Sequence, residues 1–162
     1  MLSNAIEALT HTTGVALRLV GSGAARDQLK KEAHGLPVEF YNKTKPEDLT
    51  KHYEWADVAL VHLVDSEPLN RAVPSKTYEL MEMQMPITAA VEGEASYIIE
   101  RIAGGHVVPT RNPQKLAELW NTLASQPTIL AASPAGAEWV RKQRTEEAQR
   151  VIADILNAVA GA

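Results

Sequence analysis

The stretch that decides the fold is residues 57–83, DVALVHLVDSEPLNRAVPSKTYELMEM. Its first part, Val58–Val61, is apolar at every position, which is typical of a central strand buried on both faces. Pro74 and Ser75 precede a segment with helical spacing and therefore predict the start of a helix. A strand followed by a helix is the repeating unit of a parallel sheet. The stretch thus predicts an α/β fold.

The same alternation extends in both directions from this stretch. Apolar, β-branched runs occur at Val15–Val20, Val38–Tyr41, Val58–Leu63, Ile87–Val91 and His106–Val108. Segments with helical period occur at Asn4–Leu9, Ala24–His34, Pro46–Trp55, Pro74–Met83, Ala95–Ala103 and Pro113–Leu123. Strands separated by helices are typical of βαβ units. We predict one Rossmann-like domain over residues 1–162, with a parallel sheet and helices on both faces.

Residues 134–162 are predicted to form a C-terminal helix. Its apolar positions keep a spacing of three to four residues and include Val151, Ile155 and Val159. Such a stripe needs a partner, and in a single domain we expect it to pack on the domain's own sheet. Trp55 closes an amphipathic helix just before a strand and is predicted to be a core residue. A sheet of this type normally opens with a strand, whereas this chain opens with a helix at about Leu2–His11.

Composition excludes several classes of protein. The 162 residues are 45% hydrophobic and 22% charged, with a net charge of -4 and no cysteine. The absence of cysteine removes disulfides, cysteine-based zinc sites and thiol catalysis. Nothing resembles the basic footprint of a nucleic-acid binder, and no apolar run approaches a membrane span. The five histidines show no close metal-binding spacing, so no metal site is expected.

Three loops follow predicted strands and lead into helices. Gly21-Ser22-Gly23 comes after the first strand, where backbone N–H groups can face an anion, but Arg26 stands where a dinucleotide fingerprint has its third glycine. The loop is therefore either a ligand-facing loop or a tight structural turn. A similar loop contains Gly93 and Glu94 after the strand Ile87–Val91. Three such loops at one edge of a sheet favour a nucleotide-type ligand.

The third loop contains the most specific motif, Pro74-Ser75-Lys76 with Glu79. Residues three apart share one face of a helix. Lys76 and the helix dipole can therefore bind phosphate, while the Glu79 carboxylate can accept hydrogen bonds from two hydroxyl groups. A diphosphate attached to a ribose requires both functions. The alternative is a surface ion pair between the two side chains. His62 and Asp65, at the end of the central strand, either face the ligand or form an ordinary strand end.

Four stretches in consistent order resemble a known family. They are LRLVGSGAARDQLKKEA, VEFYNKTKPEDLTKHYEWADVALV, PSKTYELMEMQMPI and GEASYIIERIAGGHVVPTRNPQKLAEL. Together they resemble the C-terminal half of retaining family-4 glycosyltransferases of the GT-B fold, particularly the bacterial surface-polysaccharide branch with its N-acetylfucosamine-transferase-like members. The resemblance covers about Ala16 to Leu123. In that family the C-terminal domain binds a nucleotide-diphosphate sugar, and an N-terminal domain binds the acceptor.

The resemblance implies roles for individual residues. Glu79 matches the glutamate that holds the ribose hydroxyls, and Lys76 matches a lysine near the donor phosphates. The whole implied donor-binding set is Gly21, Ser22, Gly23, Ser75, Lys76, Glu79, Gly93 and Glu94. Arg71 stands where the family often has a first glutamate, eight residues before Glu79, and Glu67 is the nearest acid. Glu67 and Arg71 are therefore the catalytic candidates, and no metal or cofactor is implied.

The family's first strand and its glycine-rich loop precede the helix with which this chain opens. The resemblance thus implies a piece of a longer enzyme that lacks this strand and the N-terminal acceptor domain and is inactive alone. It also implies a cytoplasmic location, peripheral to the inner membrane face through the other domain. Two alternatives remain: a sugar-nucleotide epimerase of GT-B fold and a non-catalytic flavodoxin-like binding domain.

Overall fold

A computed structural model describes residues 2–130 and 132–160. Five strands form at β1 (Leu17–Val20), β2 (Val38–Tyr41), β3 (Ala59–His62), β4 (Ile87–Ala90) and β5 (His106–Val108). The helices are α1 (Leu2–Leu9), α2 (Arg26–Glu32), α3 (Pro46–Trp55), α4 (Glu67–Asn70), α5 (Ser75–Glu82), α6 (Gly93–Ile98), α7 (Pro113–Ser125), α8 (Pro134–Lys142) and α9 (Ala148–Ala160). π-Helical turns at Ile99–Ala103 and Gln143–Glu147 extend α6 and α8, and a 3₁₀ turn covers Pro127–Ile129.

All five predicted strands are present, and all of their pairings are parallel. They form two sheets, however, rather than the single one expected from the sequence. β1 pairs with β2 from Leu17 opposite Val38, and the second sheet has the order β3-β4-β5. Among the described strands β1 and β3 do not pair with each other, so each keeps one edge free of strand hydrogen bonds.

Helix α1 packs against both sheets. Its buried residues Ala5, Ala8 and Leu9 share a core cluster with strand and helix residues of the three-stranded sheet, and Leu17 and Val38 of the two-stranded sheet pack against that cluster. The connection after α1 is fixed to α7, because the amide of Asn121 donates to the carbonyl of His11 (2.9 Å) and accepts from the backbone N–H of Thr13 (3.1 Å).

The opposite face of the three-stranded sheet carries the largest core cluster. It joins strand residues to α5, α6 and α8, for example Val61, Ala89, Leu80, Ile98 and Val140, all at most 4% exposed. Every residue of β4 is buried, which is typical of a parallel strand covered by helices on both faces. The predicted α/β architecture is therefore confirmed.

The end of the chain departs from prediction. Helix α8 buries Gly136, Ala137 and Val140, but α9 leaves the apolar side chains of its stripe between 50% and 73% exposed. The expectation that the whole C-terminal helix packs on the domain's own sheet is thus wrong for α9. This face of the sheet is already covered by α5, α6 and α8, and none of the described α9 residues belongs to its core cluster.

Candidate functional site

The predicted donor-site residues are brought to the carboxyl edges of the two parallel sheets, where open α/β folds bind ligands. Helix α5 begins at Ser75 directly after Pro74, as the sequence predicts. Lys76 and Glu79 are both exposed in its first turns. Neither forms an ion pair with the other among the described residues, so the alternative of a surface ion pair is wrong.

Lys76 instead contacts a side chain that the sequence did not single out. Its Nζ donates to the Tyr53 hydroxyl at 2.9 Å and lies 5.0 Å from the centre of the Tyr53 ring. A neutral phenol leaves the positive charge of the lysine uncompensated. Lys76 is therefore held at the mouth of the site by α3 and remains able to bind an anion.

The two catalytic candidates flank a short helix that sequence periodicity did not reveal, since Glu67 begins α4 and Arg71 directly follows its last residue. Arg71 donates to Glu67 at 3.1 Å, and their side chains are 80% and 84% exposed. Such a pair at the surface is worth little free energy. It can be opened at small cost when a charged substrate arrives.

Gly93 positions α4 relative to α6. Its φ of +66° is unfavourable for other residues, and a Cβ atom at this position would overlap the carbonyl oxygen of Asn70, the last residue of α4. The glycine thus permits close approach of two backbones. Glu94 is exposed beside it, so this loop supplies both close packing and an accessible carboxylate.

The loop at Gly21 is closed by Arg26. The Arg26 guanidinium donates to the carbonyl oxygens of Gly21 (2.5 Å) and Tyr41 (2.7 Å), at the ends of β1 and β2. Gly21 has a φ of +146°, and Ser22 and Gly23 are exposed. The residue that replaces the fingerprint's third glycine therefore fixes the turn, while Ser22 and Gly23 stay accessible to a ligand.

Two cavities adjoin the end of β3. One of about 350 Å³ is lined by Leu2, Leu60, Val61, His62, Leu63, Pro74 and Lys76. The other, of about 250 Å³, is lined by Asn4, His62, Leu63, Val64, Asp65 and Arg111. His62 and Leu63 belong to both linings. Sequence analysis identified His62, Asp65 and Lys76, but it missed Arg111, which follows β5 without a glycine to mark its loop.

His62 lines both of these cavities. Both ring nitrogens are buried and have no hydrogen-bond partner, and burial lowers the pKa of His62 from its usual value of 6.5. A buried polar group without a partner costs free energy. Burial thus favours the neutral form of the imidazole, and the ring has unused hydrogen-bonding capacity beside the site.

The described residues include no group of three or more His, Asp or Glu side chains placed to hold a metal ion. Within the same part of the chain, no helix combines the length and apolar character needed to cross a bilayer.

This chain is similar to a known protein family and to several solved structures. A family model described as "Glycosyl transferases group 1" matches residues 1–126. The structure of Anabaena HepE in complex with UDP is similar, with a TM-score of 0.74 and 22% identity over 96% of this chain and 44% of that chain. HepE has also been solved in complex with UDP-glucose.

Two further solved structures are similar to the chain. WaaG, described as a glycosyltransferase involved in lipopolysaccharide biosynthesis, has a TM-score of 0.63 and 22% identity over 88% of this chain and 38% of that chain. TarM has a TM-score of 0.67 and 16% identity over 96% and 31%. The chain thus spans less than half the length of these proteins, and the likeness shows the fold. No curated protein sequence matches it significantly.

Proposed function

Because this chain belongs to the group 1 glycosyl transferases, we propose that it is the domain that binds the nucleotide-sugar donor in a retaining enzyme of the family. The enzyme would transfer a hexosyl group from a nucleoside-diphosphate sugar to a saccharide or lipid-linked acceptor. We assign it to the family-4, surface-polysaccharide branch that the sequence resembles, acting in the cytoplasm at the inner membrane face without a metal or other cofactor.

The observation that carries this proposal is the start of α5. Lys76 and Glu79 are exposed on adjacent positions of one helical face, at the carboxyl edge of the three-stranded sheet. Lys76 and the helix dipole favour an anionic group, and a carboxylate one turn further accepts two hydroxyl hydrogens. This pairing of a cation and a carboxylate matches a diphosphate joined to a ribose. The complexes of HepE with UDP and UDP-glucose support a donor of this class.

Several further residues would act on the donor. Gly21, Ser22 and Gly23 present accessible backbone at the end of β1, while Gly93 and Glu94 adjoin α4. Arg71 would leave its exposed pair with Glu67 and stabilise the departing diphosphate, where negative charge develops. Glu67 would then be free to orient the sugar. Catalysis would rest mainly on positioning the donor and on stabilising the leaving group.

The intact enzyme would need an acceptor-binding partner domain, since the match to HepE covers 96% of this chain but only 44% of the HepE chain. This chain alone should therefore bind donor without transferring sugar. Product analysis with a partner-containing form separates transfer from the epimerase alternative. A transferase releases nucleoside diphosphate, whereas an epimerase returns an isomeric nucleotide sugar.

Calorimetric titration of this chain with UDP, GDP and UDP-glucose tests the donor site. The change Glu79→Gln keeps the side-chain shape and removes the charge that strengthens hydrogen bonds to ribose. We expect about tenfold weaker nucleotide binding, because a charged hydrogen bond contributes about 1.5–3 kcal/mol. Glu100→Gln, at an exposed glutamate that lines neither cavity, is the matched control. Unchanged affinity in Glu79→Gln would rule out the assignment.

A further inference from the structure

Arg111 is a cation at the candidate site with no role in the function proposed above. It follows β5 and lines the 250 Å³ cavity together with Asn4, His62 and Asp65. Its guanidinium forms no ion pair with a carboxylate among the described residues, and its one hydrogen bond there is a long contact from Nη2 to the carbonyl oxygen of Asp65 (3.5 Å). Most of its five donors remain available.

The backbone on both sides of Arg111 is held in place. The carboxylate of Glu92, at the end of β4, accepts from the backbone N–H of Thr110 (3.0 Å) and lies 3.4 Å from its hydroxyl. Asn112 caps α7, because its side chain accepts from the N–H of Lys115 at 3.0 Å. Arg111 itself has a φ of +54°, in the left-handed region. With the backbone fixed in this way, the Arg111 side chain extends past the end of β4 towards Asp65, which follows β3.

Arg111 and Lys76 line two cavities that share the end of the same strand. Each cavity is lined by one cation, Lys76 in the larger and Arg111 in the smaller, and the two linings share His62 and Leu63. The single carboxylate in either lining belongs to Asp65, which is exposed and does not pair with Arg111. The first turn of α1 also borders both cavities, through Leu2 and Asn4.

We propose that Arg111 is a second cation for the diphosphate of the donor, binding it from the cavity next to the one that Lys76 lines. This inference rests on the proposed function. A planar guanidinium matches two oxygens of a phosphate group at once. Two cations from different segments can each bind one phosphate group of a diphosphate, and the unpartnered ring of His62 lines both cavities.

The decisive variant is Arg111→Gly. Glycine adopts the left-handed backbone without strain, so this change removes the guanidinium while the protein keeps or gains thermal stability. In calorimetric titrations with inorganic pyrophosphate, UDP and GDP, we expect about tenfold or greater loss of affinity relative to the unchanged chain. Arg101→Gln, at an exposed arginine outside both cavity linings, should bind all three ligands normally.

A second variant tests the same site in the opposite direction. Asp65→Asn removes the one carboxylate in the cavity linings and should tighten pyrophosphate binding, since like charges repel. A titration with UDP-glucuronate separates the diphosphate from a carboxylate on the sugar. Weakening confined to this ligand in Arg111→Gly would overturn the diphosphate assignment.

The remaining outcomes distinguish the two proposals. If Arg111→Gly binds pyrophosphate, UDP and GDP normally while Glu79→Gln weakens UDP, the role of Arg111 is refuted and the donor site stands. If the unchanged chain binds pyrophosphate through Arg111 but no nucleoside diphosphate, the anion site stands and the proposed function fails. Absence of all binding refutes both.

Discussion

The two sheets of this domain are covered by different kinds of contact. The three-stranded sheet has a central strand whose four residues are all buried, between helices on both faces. In the two-stranded sheet every residue of β1 is only half-buried, and α3, which lies over it, buries none of its own residues. On the side of this sheet that faces α3, Arg18 pairs with Glu39 (2.6 Å) and lies 3.9 Å from the ring centre of Trp55.

This difference indicates how stability and ligand binding are divided. Apolar burial is the main source of folding free energy, so the three-stranded sheet should carry most of it. Cation–π contacts and exposed ion pairs contribute about 1 kcal/mol or less each. The two-stranded sheet is therefore the more easily deformed half. Yet Tyr53 of α3 holds Lys76, which makes the softer half a participant in the candidate site.

Gly93→Ala should produce the largest loss of folding stability and would test the rigidity of the three-stranded half. The new Cβ would overlap the Asn70 carbonyl, and alanine is strained at a φ of +66°. We expect a loss of about 3 kcal/mol or more in the free energy of unfolding, from strain and overpacking together. Urea denaturation followed by circular dichroism measures it.

Gly23→Ala is the matched change in the two-stranded half. No heavy atom lies within 4 Å of its Cβ position, and its φ is not positive. This variant should unfold within about 0.5 kcal/mol of the unchanged chain. Equal losses in the two glycine variants would contradict the proposed difference between the sheets.

Truncation of leucines compares the two cores more directly. Leu80→Ala removes a side chain that is 0% exposed in the largest cluster, and such changes cost about 2–5 kcal/mol. Leu29→Ala removes one that is 8% exposed in the small cluster under the two-stranded sheet, so we expect the free energy of unfolding to fall by about 2 kcal/mol. The urea midpoints of the two variants give both values, provided that the free energy of unfolding depends equally steeply on urea concentration in each. A larger cost for Leu29 than for Leu80 would reverse the comparison.

His62 gives a pH dependence of stability. Burial lowers its pKa in the folded protein below 6.5, so below pH 6.5 the unfolded chain binds the proton more readily. Stability should therefore fall as the pH drops from 6.5 towards the folded pKa, by at most about 1.4 kcal/mol per pH unit for one group. Above pH 6.5 the contribution is constant.

Melting temperatures from pH 7.5 to pH 5 test this dependence. His62→Gln should flatten the acid side of the profile, because the titrating imidazole is gone. His34→Gln, at an exposed histidine after α2, serves as the control and should keep the slope of the unchanged chain. An identical slope in all three proteins would show that His62 does not carry the effect.

Local patterns in the sequence predict most of the elements but not their pairing. The bounds of β2 and β5 agree with prediction residue for residue, because short β-branched runs between helices are distinctive. The division into two sheets depends on contacts between distant strands and leaves no local signal. Trp55, predicted as core, closes α3 and is 41% exposed, and Arg18 of β1 offers its ring a cationic partner.

The candidate site, too, could be predicted from the sequence only in part. The start of α5 follows from Pro74 and Ser75, so exposed positions for Lys76 and Glu79 could be predicted. The contact of Lys76 with Tyr53 joins residues 23 apart and could not. Arg111 sits before the N-cap Asn112, a signal that marks a helix start but says nothing about the direction of the arginine side chain.

The packing of α1 against α7 also has a consequence for synthesis of the chain. The side chain of Asn121 bonds the His11 carbonyl across 110 residues of sequence. At about 5–20 residues per second, a ribosome needs on the order of ten seconds to make that partner after α1 has emerged. Throughout this interval the apolar face of α1 has no α7 to cover it, so the nascent chain passes through a stage in which a chaperone could bind there.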